Sequence, residues 1–506
     1  MSRKSIREAV RVRYAPSPTG MMHLGGLRTA LYNAFFARQN EGALILRIED
    51  TDTKRTVPGA YESMMKLFTM FGFEFDEGPH VQGQFGPYKQ SERLAIYATY
   101  AQELVMQDKA YLCFCTPERL ERLRAIQSKQ GLAPTYDGHC LKLHNDEIKE
   151  RLEKDVPCVS RLKVPPTGQT VFEDMLRGKI VVENSTIDHQ ILTKQDDYPT
   201  YHLASVVDDY HMRISHVIRG EEWLPSTAKH CMLYDMMEYE RPVFVHLPLL
   251  LTTARAKLSK RHNHASVQEL VDEGFISSAI VHFASMLGWH PSVDQVIPHE
   301  ALFPIEIQGL FDLKRVQKAG AQVDIVRLQH LSGIHFRRWL RDDPRAIEIA
   351  LEDRYPQKTR HLSRDFMRRI INCVAERVQK IPDILEFGAG FIETPKVTCS
   401  DLIQRGCPSA APIHAVIDAV AGKDFDDVDS LSKAIASAEA DHHLRPNSML
   451  PALRWSLFGS DSGPGVARVM STLQREKTIE RLKAAASTFD AIPKSNAAMA
   501  AAIDNK

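Results

Sequence analysis

The sequence predicts an α/β domain built on a parallel sheet, split by an α+β insertion and followed by all-helical regions. Three features carry this. Residues 10–48 run strand, breaker-rich loop, helix, strand. Between 109 and 183 the texture shifts to clustered cysteines, charged helical stretches and β-rich pieces. After Val267 amphipathic helical patterns dominate.

Each element follows from local pattern. Val10 to Tyr14 alternates apolar and basic residues, as a strand does. The breakers of Ala-Pro-Ser-Pro-Thr-Gly20 end it. Leu27, Ala30, Leu31, Ala34 and Phe35 recur at helical spacing, and Gly42 is expected in the C′ position that closes this helix. Ala43 to Ile48 reads as a short buried strand. Val159 to Val164 is a strand within the insertion, and Leu203 to Val207 and His216 to Ile218 read as strands that resume the sheet. Residues 251–264 look like a linker. Arg327 to Asp343 is rich in Arg and His, and Pro382, Pro395, Pro408, Pro446, Pro451 and Pro464 punctuate the helical remainder.

Composition narrows the class. One core rarely exceeds ~250–300 residues, so 506 residues imply several domains. With 43% hydrophobic and 25% charged residues, the chain is not largely disordered, collagen-like or a coiled coil. No run reaches the ~18 apolar residues of a membrane span. Lys+Arg and Asp+Glu both total 64, so net charge points to no partner, although a basic face could be offset elsewhere. Five of the eight cysteines (Cys158, Cys231, Cys373, Cys399 and Cys407) are isolated, as free thiols in a reducing compartment would be. The basic N-terminus MSRKSIREAV leads into no apolar secretory core, and strand-like sequence begins too early for a transit peptide.

Two segments carry chemistry. Pro16-Ser-Pro-Thr-Gly-Met-Met-His23-Leu-Gly25-Gly26 lies between a strand and a helix, at the strand ends where α/β sheets bind ligands. Its glycines let backbone approach a phosphate, the helix N-terminus favours anions, and His23 adds a donor. It is not a Walker A loop, since no Gly-Lys-Ser/Thr follows. Taken alone it fits a tight turn with a buried histidine equally well. Lys257-Leu-Ser259-Lys260-Arg261 places three cations in five residues, which suits either a loop closing on polyphosphate or a solvated basic turn.

In this order, with a large insertion between them, the two segments resemble the HIGH and KMSKS signatures of class I aminoacyl-tRNA synthetases. Further words sharpen the likeness: Arg13-Tyr-Ala-Pro-Ser-Pro-Thr-Gly20, Arg47-Ile-Glu-Asp-Thr-Asp52, Gly86-Pro-Tyr-Lys-Gln-Ser-Glu-Arg93, Tyr198-Pro-Thr-Tyr-His-Leu-Ala204 and Val217-Ile-Arg-Gly-Glu-Glu-Trp223. They are similar to glutamyl-tRNA synthetases of the bacterial and organellar type from about Val10 to His290, and more loosely to about Lys483.

The resemblance implies a Rossmann-like class I catalytic domain in two halves, 1–108 and 191–265, around an α+β acceptor-end-binding insertion at 109–190. An all-α stem-contact domain (266–340) and an all-α anticodon-binding domain (341–506) would follow. It implies ATP-dependent ligation of L-glutamate to tRNA(Glu) through a glutamyl adenylate, with tRNA(Gln) as a further acceptor left open. By position, Arg13, Ala15, Ser17, Glu49, Tyr201 and Arg219 match the glutamate-contacting residues. Arginine can bind a carboxylate bidentately, so Arg13 suits the side-chain carboxylate and Glu49 the α-ammonium. His23, Gly25, Gly26, Lys257, Ser259, Lys260 and Arg261 would hold ATP, with Mg²⁺ arriving on the nucleotide, and His23, Lys257 and Lys260 would act in catalysis. Ser205 stands where an Asn often contacts substrate in the family, so no contact is assigned to it. A monomer is expected.

Cys113, Cys115 and Cys140 are spaced like a zinc site of some family members. There the fourth ligand lies two positions after the last cysteine. Here that residue is Lys142, whose ammonium cannot ligate, while His139 and His144 flank it. Structural zinc and a metal-free domain that retains the thiols both remain open. For nucleic acid, Lys314, Arg315, Lys318, Arg337, Arg338 and Arg341 are candidate phosphate contacts or a solvated basic face. Arg377 matches an arginine that reads the third anticodon base in some relatives. A glutaminyl-tRNA synthetase is disfavoured by the helical tail. A shorter relative that modifies a base of tRNA(Asp) is disfavoured by chain length, and a silent tRNA-binding paralogue by Arg13, His23, Glu49, Arg219 and Lys260. Compartment stays open: Ser226 to His230 and His246 to Leu250 resemble mitochondrial members, whereas the missing presequence points to a bacterial cytoplasm.

Overall fold

The computed structural model describes residues 9–52, 55–256, 266–295, 297 and 299–490. They fall into two compact units. One holds the chain to Asp272 together with Ser277–Leu328, and the other holds Glu273–Ile276 and the chain from Gln329 onward.

In the first unit, β1 (Arg11–Tyr14) and β2 (Ala43–Leu46) pair in parallel, with Arg11 opposite Ala43, and α1 (Leu24–Gln39) crosses between them. Gly42 does not act as the expected C′ residue. Glu41 takes the left-handed turn, with φ of 50°. Position 42 needs glycine for a steric reason, because a Cβ there would lie 2.3 Å from the Val10 carbonyl oxygen. The chain turns into β2 hard against β1.

Within residues 109–190, β3 (Ala110–Cys113) and β4 (Val159–Leu162) form an antiparallel sheet, joined on the far side of β4 by β7 (Ile191–Thr193). The hairpin of β5 (Gln169–Asp174) and β6 (Gly178–Glu183) goes elsewhere. It continues the sheet of β8 (His216–Gly220) and β9 (Val243–Leu247), giving the order β6-β5-β9-β8. The Ser215 N–H donates to the Arg11 carbonyl at 2.9 Å, and the Arg11 N–H donates to Ser215 Oγ at 2.8 Å, which ties the head of β8 to β1. The parallel strands therefore run β2, β1, β8, β9. The direction of progression reverses between β1 and β8, the place where open α/β sheets bind ligands.

Leu203 to Val207 is not a strand. It belongs to α2 (Tyr201–His211), in which every residue from Leu203 to Asp209 is buried. A helix covered on all sides has no polar stripe, so its short apolar run imitates a strand. A further helix, α3 (Leu224–Met236), links β8 to β9. Val12, Leu27, Leu31, Leu44, Ile45, Val217, Phe244 and Val245 are almost fully buried, and each contributes about 1.5–3 kcal/mol of hydrophobic burial.

Beyond α3 and β9 the second unit is helix and loop throughout its described residues. Its core is built from Leu351, Ile371, Val374, Ile413, Val416, Leu431, Leu453, Val469 and Leu482. Arg481 is buried there and donates to the carbonyls of Gly390, Leu457, Phe391 and Glu393. Among the described residues no helix is long and apolar enough to cross a membrane.

Candidate active site

A cavity of about 470 Å³ opens at the carboxyl ends of β1 and β8. Arg13, Ala15, Ser17, Glu49, Tyr201 and Arg219 all line it, together with His23, Gly25 and Gly26. The first six come from β1 and its exit loop, the exit of β2, the start of α2 and the end of β8. Lys257, Ser259, Lys260 and Arg261 lie outside the described residues. The chain just after that segment is placed: Ser266 forms a β-bridge with His23, and the Val267 N–H donates to the Met22 carbonyl at 2.9 Å.

His23 is the N-cap of α1. Its Nδ1 accepts from the Gly26 N–H at 3.0 Å, so in the neutral ring the proton sits on Nε2, which can donate to a phosphate oxygen. Side chains are excluded beside it. A Cβ at position 25 would meet the His23 ring at 3.1 Å, and one at 26 the Tyr14 hydroxyl at 3.0 Å. The result is a bare helix N-terminus of the kind that binds anions.

One wall is a charge-neutral lattice. Arg47, with no exposed surface, donates to Asp209 Oδ1 at 2.6 Å and to Glu49 Oε1 at 3.1 Å. Arg13 Nε donates to the same Asp209 oxygen at 3.0 Å. Burial opposes the Arg47 charge, but Asp209, Glu49 and Asp208 more than offset it and its pKa rises well above the arginine range. Burial also raises Asp209, and Arg13 and Arg47 overcome it, leaving Asp209 below the usual carboxylate range. Glu49 goes the other way, with burial outweighing Arg47 and Arg13 and raising its pKa. A cationic ligand group beside Glu49 would lower its pKa again.

The opposite wall is centred on Arg219, which is 5% exposed. Among the described residues no carboxylate lies within ion-pair distance of it. Its partners are neutral: Tyr201 Oη at 3.0 Å, His230 Nδ1 at 3.2 Å, Thr227 Oγ1 at 2.9 Å and His246 Nε2 at 3.1 Å. Tyr201 packs on Trp223 with ring centroids 4.1 Å apart, which closes this side. The cavity is thus lined both by the buried Arg219 charge and by the Glu49 carboxylate, which is held by Arg47 through Oε1. Ser205 does not line it. Its hydroxyl is buried with no hydrogen-bond partner among the described residues.

His230 Nε2 lies 3.1 Å from His202 Nδ1. Burial first, then Arg219, pushes His230 well below the histidine range, and burial with Lys229 and Arg219 pushes His202 to about 4. The sign of the pH effect follows. An unfolded histidine protonates near pH ~6.5, whereas His202 in the fold does so only near 4. Between those values the unfolded chain binds more protons, so stability is full above the first and is lost as pH falls toward the second. The thermal midpoint should drop across that window, and His202→Gln should flatten the drop. Equal slopes for the two proteins would show that His202 contributes nothing to it.

The cysteine cluster forms away from this cavity. Sγ atoms of Cys113, Cys115 and Cys140 lie within 4.8 Å of one another. His139 and His144, which flank Lys142 and could substitute for it as the fourth ligand, are not part of the cluster. The phenol of Tyr136 is, 3.4 Å from Cys113 Sγ and 3.3 Å from Cys115 Sγ, with the Cys140 N–H donating to it at 2.9 Å. The Arg161 guanidinium lies 4.2 Å over the Tyr136 ring, while burial and the neighbouring Cys113, Cys115 and Cys140 thiols push the phenol well above its usual pKa range. Tetrahedral thiolates on zinc stand about 3.8 Å apart, so three sulfurs and a phenol oxygen at these spacings fit such an ion. Sequence alone hides Tyr136, because it precedes Cys140 by four residues and belongs to no Cys/His spacing pattern.

In the second unit, the Arg377 guanidinium lies 4.4 Å over the Phe387 ring. Both line a cavity of about 510 Å³ with Glu386, Lys396, Phe458 and Ser460.

A split parallel sheet with a His-x-Gly-Gly helix N-terminus at its switch point, followed by a helical unit, defines the class I aminoacyl-tRNA synthetase architecture. Residues 9–330 match the family described as tRNA synthetases class I (E and Q), catalytic domain, and 337–486 match the anticodon binding domain. Glutamate–tRNA ligases of Alkaliphilus metalliredigens (36% identical, 94% of this chain and 98% of the relative) and Dehalococcoides mccartyi (37%, 96% and 99%) align along nearly their whole length. The solved glutamate tRNA ligase of Elizabethkingia meningosepticum, in complex with its amino acid, superposes with a TM-score of 0.86 at 34% identity, covering 95% of this chain and 100% of that one. The chain belongs to the glutamate–tRNA ligase family.

Proposed function

We propose that the chain is an enzyme that ligates L-glutamate to tRNA(Glu) in two steps, with ATP going to AMP and pyrophosphate. The observation that carries the reading is the pairing, in one cavity, of the uncompensated Arg219 guanidinium with the Glu49 carboxylate, beside the bare N-terminus of α1. Glutamate carries two carboxylates and an ammonium. Its side-chain carboxylate is met by Arg219, the terminal nitrogens of Arg13 and the Tyr201 hydroxyl, and its ammonium by Glu49. Ala15 and Ser17 line the approach. The α-carboxylate attacks the α-phosphorus of ATP and pyrophosphate leaves. The terminal adenosine 2′-hydroxyl of tRNA then attacks the adenylate. No residue acts as a nucleophile. His23, Gly25 and Gly26 position the nucleotide, with Lys257, Ser259, Lys260 and Arg261 as its expected partners, and the developing charge is stabilised by preorganised donors. Mg²⁺ enters with ATP and keeps much of its water.

Aminoacylation of purified tRNA(Glu) and tRNA(Gln), each offered glutamate and glutamine, tests this. An amide leaves a buried guanidinium without its anion, so glutamine should be charged at least ~10²-fold less efficiently. Equal efficiencies would remove the glutamate assignment. The same assay reads whether tRNA(Gln) is an acceptor. Arg377, stacked on Phe387, is the candidate for reading an anticodon base.

Cys113, Cys115, Cys140 and Tyr136 would hold a structural zinc, whose role is to fix the fold of this region rather than to take part in the reaction. Elemental analysis after metal-replete expression should give about one zinc per chain. Tyr136→Phe should lose zinc to a chelator much faster than the unaltered protein, whereas His139→Ala and His144→Ala should not. Zinc content near zero in the unaltered protein would leave the thiols metal-free.

A further inference from the structure

Arg219 would be a poor anchor if it could swing, and it would be a weak one if a protein carboxylate neutralised it. Its four acceptors are all uncharged. For His246 Nε2 to accept from Arg219, the ring proton must sit on Nδ1. Nδ1 faces Asp174 Oδ2 at 2.7 Å, and both side chains are fully buried. The same Oδ2 accepts the His246 backbone N–H at 3.0 Å, while Oδ1 accepts the N–H groups of Leu176 at 3.0 Å and Arg177 at 2.9 Å. The carboxylate therefore receives four hydrogen bonds, two on each oxygen. It reaches Arg219 only through the imidazole, which transmits orientation and leaves the guanidinium charge for a ligand.

Asp174 ends β5, the hairpin strand that joins β9. The hairpin has a second hold on the same rim. Arg177 pairs with Glu221, and Glu221 Oε1 accepts the Leu249 N–H at 2.8 Å. Leu249 and Gly220 both line the cavity.

We propose that Asp174 and His246 are positioning residues for the amino-acid site, fixing the Arg219 guanidinium so that it selects a carboxylate over an amide. This rests on the reading that Arg219 meets the glutamate side chain. An amide at position 174 cannot reproduce the arrangement, since its NH₂ must face two donors whichever way it is turned. Turned toward His246, it holds the imidazole in the other tautomer and points an N–H at Arg219.

The test is steady-state aminoacylation by the full chain carrying Asp174→Asn, His246→Phe or His246→Gln. For Asp174→Asn and His246→Phe the glutamate KM should rise about 10-fold or more, the effect of losing one charge-assisted hydrogen bond. The ATP KM should stay near the unaltered value, and the preference for glutamate over glutamine should shrink. His246→Gln offers Arg219 a carbonyl oxygen and should recover part of the loss seen with His246→Phe. Three outcomes overturn the proposal. In the first, glutamate KM is unchanged in Asp174→Asn and His246→Phe while Arg219→Gln still destroys glutamate use, so the site reading survives alone. In the second, glutamate and ATP KM rise together with a lowered melting temperature, the mark of a merely structural role. In the third, Arg219→Gln itself leaves the glutamate KM intact, and the site reading falls too. If Asp174→Asn does not fold, the two His246 variants decide between the same outcomes.

Discussion

Arg219→Gln is expected to lower glutamate activation by roughly 10²–10³-fold, the scale of losing a buried charge-assisted pair with a carboxylate. The substitution removes a cavity cation that no described carboxylate pairs with, and leaves Tyr201, Thr227, His230 and His246 in place. Most of the loss should appear as a raised glutamate KM, because the side-chain carboxylate is bound in ground state and transition state alike. Arg219→Lys should rescue little, since an ammonium cannot donate along four fixed directions as a planar guanidinium does. Pyrophosphate exchange with tRNA present measures this. An unchanged glutamate KM would hand the carboxylate to Arg13 alone.

Lys260→Ala should cut activation by a similar factor, roughly 10²–10³-fold, but in a different parameter. Its ammonium is expected to meet the phosphates most closely as charge builds on them, and an interaction made stronger in the transition state lowers kcat more than ATP binding. Transfer from preformed glutamyl adenylate should suffer less, because pyrophosphate has already left. Arg261→Ala should do less harm than Lys260→Ala. The bridge between Ser266 and His23 brings the chain out of this segment beside the N-terminus of α1. If Lys260→Ala raised only the ATP KM, the segment would be a basic turn and not a phosphate clamp.

Much of the architecture was legible because it is local. The alternation at 10–14, the helical spacing from Leu27 to Phe35 and the apolar run at 43–48 each sit within one short window between clear breakers, even though β1 and β2 are buried on both faces. Leu203 to Val207 failed for the opposite reason, as burial on every face erased the period. Gly42 was correctly marked as special, but its cause was a close approach to Val10 and not a helix end. At the site, resemblance named residues that the fold brings into one cavity. It assigned no role to Arg47, Asp209, Asp174, His246 or His230. Arg47 meets Asp209 across 162 positions, Asp174 meets His246 across 72 and His230 meets His202 across 28, and no window of the chain reveals such contacts. Tyr136 was missed because a phenol is not a usual partner for thiols.

The tie between β1 and β8 joins residues 11 and 215, which are 204 positions apart. At about 5–20 residues per second of synthesis, the first strand waits on the order of 10–40 s for the neighbour that completes its sheet. Throughout that interval β1 lacks its partner on the β8 side, and open strand edges invite pairing with other chains. Arg11, whose partner Glu77 emerges early, and Arg13, whose partner Asp209 emerges only just before β8, alternate along β1 and place charge on that strand, as strands that resist edge pairing do.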